Sequence, residues 1–341
     1  LLSVSLASLT YHLIEKPIRF SNKNKTTKIA ALCALMTSIA CAGIWIQRND
    51  GIKTRENAKQ AEYIMKDLTY WHTDDARDSS DFCSRKFHFF TEPFKGVAQC
   101  FFRDVHGENT VLVTGDSHAH VAFESIADFN AARGVNTLLL SANSLINPIT
   151  RNEYQNYREY ANWREFPNLW QQLRESIKDH PEIHRIFIFT TSMRQIFSVD
   201  SNNPRYHSEE EYLTRVQNFI NFANRCGKKV FIVEENPTLP FHIRDAISVQ
   251  PFRPKKMKSA KMIFRADVLK QYEKYRVVLK RLRNCTIIYS MEYFCPDDIC
   301  RIINEKGLPL YKDRNHLSIF SGGKFVVDKI LKPYLEKGAA Q

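Results

Sequence analysis

From residue 110 onward the chain alternates short apolar runs with longer amphipathic ones, and this alternation limits the possible folds more than any other feature. TVLVTGDSH (110–118) reads as a buried strand entering a turn, and AHVAFESIADFNAARG (119–134) as a helix ended by Gly134. VNTLLLSANS is a second strand, and a helix over Pro167–His180 leads into the strand IHRIFIFTT. A helix over Glu209–Cys226 leads into KKVFIVEENP, and one over Ala260–Arg283 into NCTIIYS. A last helix covers Ser318–Leu335. Strands separated by helices predict an α/β fold, a parallel sheet flanked on both faces as a three-layer α/β/α sandwich. The sequence shows no internal repeat.

Open parallel sheets bind ligands at the carboxyl ends of their strands. Gly115-Asp116-Ser117-His118 falls there, between the first strand and the first helix. The glycine permits the tight turn. A serine at that point projects its hydroxyl into the crevice, and its own N–H, at a helix N-terminus, points where an oxyanion would form. Far along the chain, Asp313-Arg314-Asn315-His316 precedes the last helix. An Asp three residues before a His in a turn can hold the imidazole Nδ1–H, leaving the other ring nitrogen to take a proton from Ser117. These residues predict a Ser117–His316–Asp313 triad.

The N-terminal part has a different character. LLSVSLASLTYHLI reads as an apolar helix that stops at Glu15-Lys16-Pro17, and Lys16, Arg19, Lys23, Lys25 and Lys28 follow. Ile29 to Gln47 then runs 19 residues without a charge. At 1.5 Å per residue this is about 28 Å, close to a bilayer's hydrocarbon core. The basic loop marks the cytoplasmic side, so everything after Arg48 is expected outside the cytoplasmic membrane. The chain reads as the C-terminal part of a larger membrane protein.

The 341 residues carry 49 Lys+Arg against 37 Asp+Glu, a formal charge of +12. The basic residues are scattered and no nucleic-acid recognition motif is present, so nucleic acid is not an expected partner; polyanionic glycans and membrane surfaces attract a basic protein equally well. Of eight cysteines, Cys33 and Cys41 lie in the apolar stretch. Cys83 with Cys100, and Cys295 with Cys300 in CPDDIC, are expected as disulfides in an oxidising compartment; Cys226 and Cys285 are expected as buried thiols. CPDDIC lacks a matching ligand pair for zinc, and the His118-x-His120 spacing does not face two rings together on a helix, so no metal is expected.

GDS after the first strand and DxxH before the last helix resemble the SGNH hydrolase superfamily. YHLIEKPIR (11–19) resembles the close of the last helix of the acyltransferase-3 family, and CPDDIC shortly before DRNHLS resembles the fused acyltransferase-3/SGNH group. The resemblance divides the chain into the end of the last acyltransferase-3 helix (1–20), a basic cytoplasmic loop (21–28), an added transmembrane helix (29–47), a periplasmic extension (48–109) and the SGNH domain (110–341). It implies an inner-membrane protein whose SGNH domain lies in the periplasm. The implied activity is O-acetylation of a bacterial surface glycan such as lipopolysaccharide O-antigen. No bound cofactor is implied; acetyl-CoA is the ultimate acyl donor at the membrane acyltransferase domain of the same polypeptide. The catalytic His/Arg motifs of that domain do not occur in this sequence.

The superfamily's other oxyanion blocks are replaced here by Ser141-Ala142-Asn143-Ser144 and Thr190-Thr191-Ser192-Met193-Arg194. The oxyanion donors expected are therefore the Ser117 amide and Asn143. Arg194 is either a contact for an acceptor sugar or a surface ion pair. The run from Arg253 to Arg265 holds six basic residues, either an anion or head-group contact or a solvated loop. Tyr154, Tyr157, Tyr160, Trp163, Phe166 and Trp170 either stack on sugars or fill the core. The same residues leave two other functions open, a membrane-anchored esterase or deacetylase and a non-catalytic glycan-binding module.

Overall fold

The structure, a computed structural model, describes residues 2–16, 25–48, 80–90, 98–142, 166–190, 209–246 and 261–336. It divides into two compact units, Leu1–Gln60 and Ala61–Gln341. In the first, a helix over Leu2–Thr10 passes into a wider turn at Tyr11–Glu15, and a second helix spans Lys25–Arg48. Within Thr26–Arg48 an 18-residue window has a mean hydropathy of 2.2, and the helix is long and apolar enough to cross a membrane. It exposes Ile29, Leu35, Met36, Ile39 and Trp45 instead of packing them in a protein core. The hydroxyls of Thr37 and Ser38 donate back to the carbonyls of Cys33 and Ala34, so neither polar group needs a partner outside the helix.

The second unit is built on six strands: β1 (Ala98–Arg103), β2 (Thr110–Gly115), β3 (Asn136–Ala142), β4 (Ile183–Phe189), β5 (Lys229–Val233) and β6 (Thr286–Ile288). Their order is β1-β3-β2-β4-β5-β6; β1 runs antiparallel to β3 and all other pairs are parallel. Every residue of β2 and β3 is buried, as expected where helices cover both faces. The chain leaves β2 toward β3 and then doubles back past β2 to β4. Right-handed crossovers therefore send the first helix to one face and the next three to the other. The contacts agree. The Ser117–Ala131 helix packs with the C-terminal helix that begins at Ser321–Phe325, and the helices over Phe166–Asp179, Glu209–Arg225 and Arg265–Arg281 pack in sequence. The fold is the predicted three-layer α/β/α arrangement.

Two buried cations serve helix ends. Arg185 in β4 donates to the carbonyls of Tyr334 and Leu335 at 3.0 and 2.7 Å, and the Lys228 ammonium reaches the His180 carbonyl at 2.8 Å. Each meets the negative end of a helix, where terminal carbonyls lack intrahelical donors. Burial lowers the pKa of both groups.

The edge strand β1 lies within the stretch expected as an extension. The short helix Ser80–Phe87 joins it through the Cys83–Cys100 disulfide, and the Ser176 hydroxyl donates to the Phe87 carbonyl. Phe87, Phe89 and Phe102 are fully buried. Residues 80–90 and 98–103 are thus part of the sheet's packing. The disulfide closes a sequence separation of 17 residues, which corresponds to about 3 kcal/mol of lost chain entropy in the unfolded state. Replacing Cys83 and Cys100 together by Ser is expected to lower unfolding stability by about 2–4 kcal/mol, read as a lower midpoint in guanidinium.

Candidate active site

The strand registers bring their carboxyl ends into one line. Gly115 of β2 stands opposite Ser141 of β3 and Phe189 of β4, Phe189 opposite Val233 of β5, and Val233 opposite Ile288 of β6. The order reverses between β3 and β4 on either side of β2, so the crevice opens at the end of β2. Ser117 lies there, half-buried, as the first residue of the Ser117–Ala131 helix. Gly115 sits at φ 139°, and a Cβ at this position would lie 1.8 Å from the Phe189 carbonyl oxygen. The Asp116 N–H donates to that same carbonyl. Only glycine lets the backbone turn this close to β4.

Asp116 caps the helix, accepting the His118 N–H at 2.9 Å. The Ser117 N–H is one of the first amides of the helix and has no carbonyl one turn back to bond. This leaves it available to an anionic oxygen.

On the other side stands the turn at 313–316, bracketed by an antiparallel bridge between Tyr311 and Leu317. Asp313 folds this turn with its own side chain. Oδ1 accepts the N–H groups of Asn315 and His316 at 2.9 and 2.8 Å, while Oδ2 accepts His316 Nδ1–H at 2.7 Å. With Nδ1 protonated, Nε2 carries the free lone pair, and it receives the Ser117 hydroxyl at 2.7 Å. Burial alone would raise the Asp313 pKa. The hydrogen bond and charge of His316, with the Asn315 and His316 amides, outweigh it and hold the carboxyl well below the usual carboxylate range. Asp313 is therefore an anion at neutral pH, as a group orienting an imidazole and balancing an imidazolium must be.

The loop after β5 clamps the turn from behind. Asn236 Nδ2 donates to the Asn315 carbonyl at 2.9 Å, Leu239 N–H to the Arg314 carbonyl at 2.7 Å, and the Arg314 guanidinium to the Pro240 carbonyl. Tyr272 fixes the clamp by donating to the Asn236 carbonyl. The sequence reading omitted Asn236. A signal was available: Glu234-Glu235-Asn236 is a polar run directly at the carboxyl end of a buried strand, where α/β sheets place function.

Of the sequence-predicted residues, the structure brings Ser117, His316 and Asp313 into one hydrogen-bonded chain across 199 positions of sequence. It also joins Cys295 to Cys300, and Arg265 holds this loop by donating to the Cys295 and Pro296 carbonyls. Asn143 and Arg194 lie outside the described residues, as do Tyr154, Tyr157, Tyr160, Trp163 and most of the basic run. Of that run, Lys261 packs over the Phe241 ring and lies 3.6 Å from Asp245. Trp170 carries the Arg174 guanidinium over its ring at 4.5 Å. His118 and His120 face different surroundings, His118 toward Asp116 and Asn315 and His120 against the Phe101 ring. Cys226 and Cys285 are half-buried free thiols, and burial pushes Cys285 up to about 11.

No curated protein matches this sequence. Among solved structures, the periplasmic domain of a Salmonella ser. Paratyphi A lipopolysaccharide acetyltransferase aligns at 13% identity and TM-score 0.46, over 67% of this chain and 84% of that one. A putative acylhydrolase from Bacteroides fragilis aligns at 12% identity and TM-score 0.37, over 78% of this chain and all of that one. A family profile described as "SGNH domain (fused to AT3 domains)" matches residues 83–332, which takes in β1, the disulfide-bonded Cys83 and the whole Ser117–His316–Asp313 constellation. The chain belongs to that family of SGNH domains.

Proposed function

We propose that this protein transfers an acetyl group through Ser117 to a hydroxyl of a bacterial surface polysaccharide, with lipopolysaccharide O-antigen as the leading acceptor. The observation that carries the reading is the unbroken chain from the Ser117 hydroxyl through His316 to the Asp313 carboxylate, at the open carboxyl edge of the sheet. In the first half-reaction His316 Nε2 takes the Ser117 proton as Oγ attacks the acyl carbonyl. The oxyanion is held by the Ser117 amide, with Asn143 as the second donor. Collapse breaks the bond to the donor's leaving group, which accepts the proton from His316, and leaves an acetyl ester on Ser117. In the second, His316 removes the proton of a sugar hydroxyl, the sugar oxygen attacks the ester, and Oγ departs with the proton returned.

The acceptor and the acyl group rest on the family's association with AT3 domains and on the YHLIEKPIR resemblance. In this reading Thr26–Arg48 spans the inner membrane, the SGNH domain faces the periplasm, and a membrane acyltransferase domain delivers the group from acetyl-CoA. Arg194 is proposed as an acceptor contact.

Asp313→Asn tests the relay. It keeps the shape of the side chain but makes it a poor partner for Nδ1–H and for an imidazolium. The expected result is a fall of about 10³–10⁴-fold in the acylation rate. Stopped-flow kinetics with a chromogenic acetyl ester read this, and unchanged circular dichroism separates it from misfolding. A rate within tenfold of wild type would contradict the relay.

A further inference from the structure

Directly behind the Ser117–His316–Asp313 chain lies a second Asp–His pair that the proposed mechanism leaves idle. His118 is 7% exposed and Asp116 4%. His118 Nδ1 stands 3.0 Å from Asp116 Oδ1, and Nε2 stands 3.2 Å from the Asn315 carbonyl oxygen. A carboxylate and a carbonyl are both acceptors. Both contacts are satisfied together when each ring nitrogen carries a proton, which makes the ring a cation. The His118 ring packs against that of His316, with centroids 4.7 Å apart and planes 31° apart. The charged and titratable groups recorded against it are Asp116 on the turn after β2, Glu235 on the loop after β5, and His316 on the 313–316 turn, which also brings the Asn315 carbonyl. Burial opposes the charge on His118, but Asp116, Glu235 and the Asn315 carbonyl outweigh it and raise the pKa above the ordinary histidine value.

We propose that His118 is a positioning residue held as an imidazolium by Asp116, and that it keeps His316 neutral and correctly aimed. This rests on the reading of His316 as the general base. Two effects follow from the geometry. The Nε2–H of His118 and the amide of Asn236 grip the same Asn315 carbonyl, so the backbone that carries His316 cannot rotate away from Ser117. A fixed positive charge stacked on the His316 ring also disfavours a second positive charge there. When His316 has taken the serine proton, the cation stacked beside it favours passing that proton on to the leaving group.

The test is the pH dependence of Ser117 acylation by a chromogenic acetyl ester, comparing the full-length chain with His118→Gln. Glutamine can still donate to the Asn315 carbonyl but carries no charge. Removing the cation stabilises the His316 imidazolium, so the acidic limb of kcat/KM is expected to move to higher pH by about one unit. A residue that only supports the fold would lower the rate at every pH and leave the limb in place, and that result would overturn the proposal. A companion measurement on the wild type does not depend on the variant folding. ¹⁵N NMR of the His118 ring at pH 8 is expected to show both nitrogens protonated, and Asp116→Asn to lose one of those protons. A neutral ring in the wild type would equally overturn the proposal. Ser117→Ala assayed alongside separates the two ideas. If it still acylates, the serine reading fails, while the NMR result still decides the charge on His118.

Discussion

Ser117→Ala is expected to abolish acetyl transfer, reducing the O-acetyl content of the surface polysaccharide to that of cells lacking the protein. The expectation follows from the division of labour in the site. His316 and Asp313 move a proton, and the Ser117 oxygen, 2.7 Å from Nε2, is the atom placed to form the ester. Groups acting as a unit lose nearly all their effect when the nucleophile goes, a fall on the order of 10⁴–10⁶-fold in kcat. The substitution removes one oxygen from a half-buried position and leaves the Asp116 cap intact, so folding is expected to be unchanged. The measurement is NMR quantification of O-acetyl groups on polysaccharide from cells expressing the full-length wild type or the variant at matched levels. A rise in acetyl would instead identify an esterase, and an unchanged level would remove Ser117 from the acetylation of that glycan.

Gly115→Ala carries the largest expected effect on folding. Its added methyl would stand 1.8 Å from the Phe189 oxygen, and its φ of 139° is one that residues with a side chain rarely adopt. The clash involves backbone of the adjacent strand and cannot be relieved by turning a side chain aside. Relief requires β2 and β4 to part at the point where Asp116 N–H bonds Phe189 O. We expect a loss of about 4 kcal/mol, or roughly 10 °C in thermal midpoint, with Ser117 moved off His316. Gly134 provides the contrast, because its φ of 68° is also left-handed but nothing lies within 4 Å of the added Cβ. Gly134→Ala is expected to cost only about 1 kcal/mol. Equal losses at the two positions would show that strand approach is not what selects glycine at 115.

The parts of this architecture that were legible in the sequence are those with local causes. β2, β3, β4 and β5 are apolar runs between helices of clear period; the described ends of the first three agree with the sequence reading to within about two residues, whereas β5 ends at Val233, four residues before the end of the KKVFIVEENP run. The 313–316 turn was legible because Asp313 makes it with its own side chain over three positions. β1 was not legible. AQCFFR is short, and its alternating burial exists only because β3 stands beside it and a disulfide ties it to the preceding helix. The His118–Asp116 pair was equally hidden, since the meaning of HxH changes once Asn315 arrives from 197 residues away. The Asn236 clamp depends in the same way on two loops meeting at the sheet edge.

If an acetyl group rests on Ser117 before it leaves for a sugar, the ester can be trapped. The full-length protein would be incubated with an isotopically labelled acetyl donor, and the peptide containing Ser117 mapped by mass spectrometry. The loaded protein would then be chased with polysaccharide purified from cells that lack the protein. The expected result is label on Ser117 in the wild type and none in Ser117→Ala, followed by passage of the label to polysaccharide hydroxyls faster than to water. Label that never appears on Ser117, or that leaves only as free acetate whether or not the polysaccharide is present, would contradict it.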